Sequence, residues 1–151
     1  PLRYHRDPEK TAATFLEVDG CRWALPGDLA RVEPDGTIVV LGRVSQCINT
    51  GGEKVHPEEV ESALKDHPDV ADAVVVGVAD DRWGERVVAL VAPRSGSAPT
   101  LDDLRNHLRP RLASYKAPKK VVLVTSIERS PSGKADYRWA KALAATSSAT
   151  P

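Results

Sequence analysis

Apolar and polar positions change rhythm along the chain, and each change marks an element. Residues 1–16 are largely polar, and Asp7-Pro8 predicts a short helix with Pro8 first, Glu9 in its first turn and Ala12, Ala13 and Phe15 beyond. Runs around 22–24 and 29–33, parted by Pro26-Gly27, predict two strands. A third covers 37–41, after the turn signal Pro34-Asp35-Gly36. Together they read as an antiparallel meander, too small to bury a core alone.

Beyond Gly42-Arg43 the rhythm differs. Residues 47–49 and 54–55 flank Thr50-Gly51-Gly52 as the arms of a tight hairpin. Pro57 then opens a helix with Glu58 and Glu59 at its positive end and Val60, Ala63 and Leu64 along an apolar stripe, stopping near His67-Pro68. The runs 70–79 and 86–92 predict buried strands, joined by the polar segment 80–85 with its exposed tryptophan. Thr100 with Asp103 forms a capping box for a helix carrying Leu101, Leu104, Leu108 and Leu112 on one face, kinked by Pro110 in its last turn. A strand at 119–124 and a helix at 136–145, with Trp139, Ala140 and Leu143 inward, complete the pattern. Strand and helix alternate around a small sheet, which predicts an α+β class: a two-layer domain with a central sheet and flanking helices, preceded by an antiparallel fragment.

Composition narrows the function. Of 151 residues, 21 are basic and 21 acidic, so no bulk field favours nucleic acid or an anionic membrane. No apolar run approaches the roughly 18 residues that a membrane span needs, and no signal peptide opens the sequence. Cys21 and Cys47 are too few for a disulfide framework and lack metal-ligand spacing, so both are expected to be small, semi-buried apolar groups. The four histidines form no metal-binding string, and no metal ligands are predicted.

Four groups carry candidate chemistry. Asp28 and Arg43 flank the 29–41 segment; an aspartate accepts hydrogens from ribose hydroxyls, and an arginine offers a fixed fork of donors to hydroxyl or phosphate oxygens. Taken alone, the pair is explained more simply as a turn aspartate and a surface ion-pair partner. Gly51 and Gly52 permit close backbone approach to a ligand, or simply a hairpin turn. Lys134, after Pro131-Ser132-Gly133, is an extended cation at a helix start, where helix electrostatics give it no structural reason to be. It suits negative charge developing at a phosphate, or serves solubility. Trp83 and Tyr115, beside Lys116, Lys119 and Lys120, offer aromatic faces next to positive charge, as a nucleotide needs or as any amphipathic surface carries.

The segments PGDLARVEPDGTIVVLGR (26–43), GRVSQCINTGGEKVHPEEVE (42–61), DDRWGE (80–85), LASYKAPKK (112–120) and SPSGKADYRW (130–139) together resemble the carboxyl-terminal lobe of the adenylate-forming acyl-CoA synthetase superfamily. The likeness covers nearly the whole chain and is greatest to actinobacterial long-chain fatty-acyl-CoA or steroid-side-chain-CoA ligases. It implies that residues 1–43 end a large amino-terminal lobe, that 44–146 form a mobile carboxyl-terminal lobe and that 147–151 fray. It implies adenylation of a fatty or steroid-derived carboxylic acid by ATP with Mg2+, then acyl transfer to CoA. Lys134 takes the catalytic lysine position, Asp28 and Arg43 bind the nucleotide, Ser45 is the hinge, Gly51 and Gly52 face the pantetheine channel, and Trp83, Tyr115 and Lys119 approach the CoA nucleotide.

The same resemblance implies a cytoplasmic protein, peripheral to a membrane at most. It also implies a missing amino-terminal lobe holding the ATP loop and acyl pocket, without which this chain is expected to be inactive. Pro26 stands where the family usually has threonine. Ser45 replaces the common Asp or Lys hinge residue and Gln46 the following acid, so different contacts are expected to lock the hinge. The alternative is a noncatalytic nucleotide- or carrier-binding regulatory module built on such a lobe.

Overall fold

A computed structural model describes residues 2–147. The chain divides into two compact units between Ser45 and Gln46. In the first, the side chain of Asp7 accepts the N–H of Lys10 at 2.9 Å and caps α1 (Pro8–Thr14). The helix does not carry on to Phe15 as expected; extended backbone there opens β1 (Phe15–Val18), which pairs antiparallel with β2 (Cys21–Ala24). A second hairpin follows, β3 (Asp28–Val32) with β4 (Ile38–Arg43). The expected meander is therefore two separate two-stranded sheets. Pro26 has no N–H to give a ladder, and Gly27 at φ +83° turns the chain between β2 and β3. Cys21 is exposed rather than semi-buried, because every residue of β2 is exposed; Cys47 is half-buried as expected.

The second unit is built on five strands. The chain passes through a 3-10 turn (Val44–Gln46) into β5 (Ile48–Thr50) and β6 (Glu53–Val55), joined by Gly51-Gly52. Then come α2 (Pro57–Lys65), the long hairpin β7 (Val70–Asp80) and β8 (Gly84–Pro93), α3 (Leu101–Leu108), β9 (Lys120–Leu123) and α4 (Tyr137–Thr146). One edge of β8 pairs with β7 along its length; the other meets β5 at Gly84 and runs parallel to β9 from Val88 to Val91.

Alternation along β7 and β8 sends side chains to both faces of the sheet. Ala73, Val75, Val87, Ala89 and Val91 pack with Val60 and Leu64 of α2 and Leu104 and Leu108 of α3. Val74, Val76, Val88 and Leu90 pack with Ala140 and Ala144 of α4. The α+β class is as expected, with α2 and α3 on one face and α4 adding a layer on the other. Trp139 and Leu143 are half-buried at the edge of that second core. The capping box at Thr100 and Asp103 forms as expected, but α3 ends at Leu108 instead of kinking through Leu112. Arg109 keeps helical backbone and its N–H still reaches Arg105 O, but Pro110 supplies no donor for the next bond, so the regular ladder stops there. Of the tail expected to fray, only Ser147 is described, its N–H on Leu143 O at 3.0 Å; the rest lies outside the described residues.

Candidate active site

Lys134 sits on a loop that folds back on itself. Ser130 N–H donates to Lys134 O and Gly133 N–H to Ser130 O, both at 2.8 Å, while Gly133 takes φ +80°. A bridge between Arg129 and Ala135 and the bond from Asp136 N–H to Glu128 O (2.9 Å) close the loop's neck. Asp136 then caps α4 by accepting from the N–H groups of Arg138 and Trp139. The lysine is exposed, and among the described residues its ammonium forms no ion pair or hydrogen bond. A cation spared from internal pairing, on a closed loop, is available to an anionic partner.

Behind that loop lies a contact that the sequence reading missed. Glu61, only 6% exposed, directs Oε1 at the sheet's edge, where it accepts Val75 N–H and Tyr137 O–H, both at 2.9 Å. It thereby ties α2 on one face to β7 and to α4 on the other. Burial raises the Glu61 carboxyl above its ordinary value, against the two hydrogen bonds, which lower it. Burial and the Glu61 charge likewise push the Tyr137 hydroxyl upward, so it stays a donor at neutral pH.

The Glu61 shift has a thermodynamic sign. A carboxyl with a raised folded-state pKa binds its proton more tightly in the folded chain. Its stabilising contribution is complete below the ordinary value of 4.5 and is lost as pH rises through the raised one. Glu61→Gln keeps an acceptor for both donors and removes this loss. Urea midpoints measured from mildly acidic to neutral pH are expected to shift in favour of the Gln variant as pH rises. Glu61→Ala, which strands Val75 N–H, is expected to cost about 1–3 kcal/mol across the range.

The glycine turn meets the tryptophan. Gly51 and Gly52 adopt φ +60° and +87°, the conformation a two-residue hairpin demands. Gly51 N–H donates to Trp83 O at 2.8 Å, and a Cβ at Gly51 would stand 2.8 Å from Trp83 Cε3. The indole is 43% exposed and carries the Arg82 guanidinium 4.7 Å from its ring centre. Backbone, aromatic face and cation thus form one surface at the tip of the β7–β8 hairpin.

The remaining candidates separate. Asp28 and Arg43 are register partners on β3 and β4, with Arg43 Nε 3.0 Å from Asp28 Oδ1. Both are largely exposed, and this bond leaves the second carboxylate oxygen and the guanidinium's terminal nitrogens for a ligand. Ser45 is exposed on the 3-10 turn at the division between the units. Tyr115 packs against the first core with Leu112 and Val121, so little of its ring is offered as a face.

Of the three lysines near Tyr115, two are spent internally. Lys116 pairs with Glu59 at 2.6 Å, and Lys120, only 7% exposed, donates to Ala144 O and Ser147 O at the end of α4. Lys119 stays exposed and lines a cavity of about 260 Å3 with Arg105 and Arg109. Those arginines passed unnoticed in the sequence because charges on a helix's polar face look solvated. Among the described residues no group of three or more His, Cys, Asp or Glu side chains is arranged to hold a metal ion, and no helix is long and apolar enough to cross a membrane.

Residues 59–134 match the family model for the AMP-binding enzyme C-terminal domain. The medium/long-chain-fatty-acid–CoA/3-oxocholest-4-en-26-oate–CoA ligase of Mycolicibacterium smegmatis is 57% identical over 93% of the chain. The 3-oxocholest-4-en-26-oate–CoA ligase of Rhodococcus rhodochrous is 60% identical over the same share. The chain spans about a quarter of these relatives' length, 26% and 25%. Among solved structures, ATP-bound MatB from Rhodopseudomonas palustris superposes with a TM-score of 0.79 at 31% identity, over 93% of this chain and 27% of that one. The amide bond synthetase McbA from Marinactinospora thermotolerans gives 0.81 at 34%, over 93% and 28%.

Proposed function

This chain belongs to the AMP-binding enzyme C-terminal domain family, and from that premise we propose that it is the mobile lobe of an ATP-dependent carboxylic acid–CoA ligase acting on a fatty or steroid-derived acid. The observation that carries the reading is the separation of two candidate surfaces along one strand. The Lys134 loop is tethered beside Asp72, near the start of β7, through Arg129. The Gly51–Trp83 surface lies past its end at Asp80. Eight strand residues at ~3.3 Å each put roughly 26 Å between Asp72 and Asp80. One reaction centre cannot meet both surfaces at once, so a lobe using both must turn between stages.

In the first stage the acid's carboxylate oxygen attacks the α-phosphorus of ATP and the bond to pyrophosphate breaks, leaving an acyl-adenylate. Lys134 stabilises the negative charge that grows on the phosphoryl oxygens, while Asp28 accepts from the ribose hydroxyls and Arg43 braces it. In the second stage the CoA thiol, giving up its proton, attacks the acyl carbon and AMP leaves. Gly51 and Gly52 let the pantetheine approach the backbone, and Trp83 offers a stacking face to the nucleotide. Lys119, with Arg105 and Arg109, suits its phosphates; Tyr115 contributes only its exposed part. Magnesium would accompany the ATP phosphates and neutralise part of their charge, and no ligand for it is assigned among the described residues of this chain. Ser45 is the pivot, short and neutral enough to let the backbone turn without an ion-pair lock.

The ATP loop and acyl pocket belong, in this reading, to the remainder of a full-length protein, and this chain alone is expected to show no appreciable ligase activity. Pyrophosphate release by the full-length protein across a panel of carboxylic acids, with and without CoA, tests it. Release with fatty or steroid-derived acids, and thioester only when CoA is present, is expected. Nucleotide binding without release from any acid sinks the ligase reading in favour of a regulatory binding module.

A further inference from the structure

We propose that Arg129, held in place by Asp72, is a positioning residue for Lys134, an inference that rests on the adenylation role given to that lysine. Both terminal nitrogens of Arg129 are committed. Nη1 donates to Gly133 O at 2.9 Å and Nη2 to the Asp72 carboxylate, so the side chain acts on the loop and not on substrate. Gly133 O belongs to the peptide plane that leads into the Lys134 Cα, and a peptide unit is rigid. Fixing that oxygen therefore fixes the direction in which the lysine stem leaves the backbone. A four-carbon stem has ample rotamer freedom of its own, and a wandering base would add to it.

The anchor is itself anchored. Asp72 Oδ1 accepts Ala73 N–H at 2.9 Å and faces Lys65 Nζ at 3.5 Å, leaving Oδ2 for Arg129. Burial pushes the Asp72 carboxyl upward, but the Arg129 hydrogen bond, Ala73 N–H and the Lys65 charge outweigh it and hold it below the ordinary value. The pair thus stays ionised at neutral pH. Its 57-residue separation in sequence pins the loop to the sheet rather than to its own neck. On the loop's far side Tyr137 is pinned separately by Glu61. Gly133, at φ +80°, cannot hold itself there by side-chain packing.

The test uses the full-length protein and reads each half-reaction. Arg129→Ala is expected to lower kcat for pyrophosphate release by about tenfold to a hundredfold, the penalty of a misplaced group. Thioester formation from supplied acyl-adenylate is expected to change less than about twofold, because that stage does not use Lys134. Arg129→Lys, able to reach one partner but not both, is expected to recover part of the loss. Asp72→Asn, which keeps an acceptor for Arg129, is the gentler second variant and is expected to fall in the same direction.

Lys134→Ala serves as the reference. If it slows adenylation as expected while the Arg129 and Asp72 variants leave adenylation within about twofold of the unsubstituted protein, the positioning role is wrong and the ligase reading stands. Equal losses in both half-reactions for the Arg129 and Asp72 variants reduce the contact to scaffolding and also overturn the proposal. If Lys134→Ala leaves adenylation intact, the underlying reading fails first.

Discussion

Lys134→Ala in the full-length protein is expected to slow acyl-adenylate formation by about 10²–10³-fold, the scale seen when one preorganised group is removed from developing charge. That corresponds to about 3–4 kcal/mol of transition-state stabilisation at ~1.36 kcal/mol per tenfold. The expectation rests on the lysine's setting. Its ammonium is exposed and, among the described residues, has no ion-pair partner, so truncation strands no buried group. The surrounding loop is held by its own backbone bonds and by Arg129, so the fold is expected to survive. kcat and kcat/KM for adenylation should therefore fall together, the pattern of an interaction made only in the transition state. Lys134→Arg is expected to recover little, because a planar fork does not replace a compact point charge at a fixed distance. Stopped-flow or radiolabelled pyrophosphate release measures the first stage, and release of AMP from supplied acyl-adenylate and CoA measures the second.

Gly51→Ala is expected to act on the opposite stage, slowing thioester formation by up to about 10²-fold while sparing adenylation. Two costs separate cleanly here. Positive φ penalises any side chain by roughly 1–2 kcal/mol, and Gly51 and Gly52 share that strain. Only at Gly51 does a new Cβ collide with the indole, at 2.8 Å from Cε3 and 3.1 Å from Cζ3; at Gly52 it meets nothing within 4 Å. Trp83 is exposed enough to swing away, so the collision is relieved by moving the aromatic face rather than by unfolding the hairpin. Gly52→Ala shares the strain and the pantetheine-facing turn but leaves Trp83 in place, so the difference between the two variants reads the displacement of the indole. Matching second-stage losses in the two variants would show that Trp83's placement does not matter. Thermal midpoints of the two should be similar, which separates function from stability.

Much of this architecture was legible because local chemistry agreed with the final packing. Pro57 with Glu58 and Glu59, the Thr100–Asp103 box, and the paired glycines each dictate their element from a few adjacent residues. Residues 15–43 were less legible. Phe15–Val18 lacks a clean alternation and pairs only with β2, so nothing local separates a strand from the end of α1. The candidate surfaces divided the same way. Local residue chemistry and the family resemblance singled out Lys134, Gly51 and Trp83, but not what holds them, since Glu61 and Tyr137 stand 76 residues apart and Arg129 and Asp72 stand 57 apart.

A signal for Glu61 was present. Pro57, Val60, Glu61 and Leu64 fall at i, i+3, i+4 and i+7, so an acid occupies a place in the buried stripe of α2. Lys120, opening the apolar run of β9, carried a similar hint and proves to be buried against the end of α4. Charged residues at apolar positions are the pins here.

In the proposed mechanism one lobe serves two stages with two surfaces at opposite ends of β7. That mechanism is tested most directly by measuring both half-reaction rates for Lys134→Ala and Gly51→Ala in the same full-length preparation. Opposite selectivity is predicted: the lysine variant defective in pyrophosphate release but near normal from supplied acyl-adenylate, the glycine variant the reverse. Parallel losses in both half-reactions for both variants would contradict it.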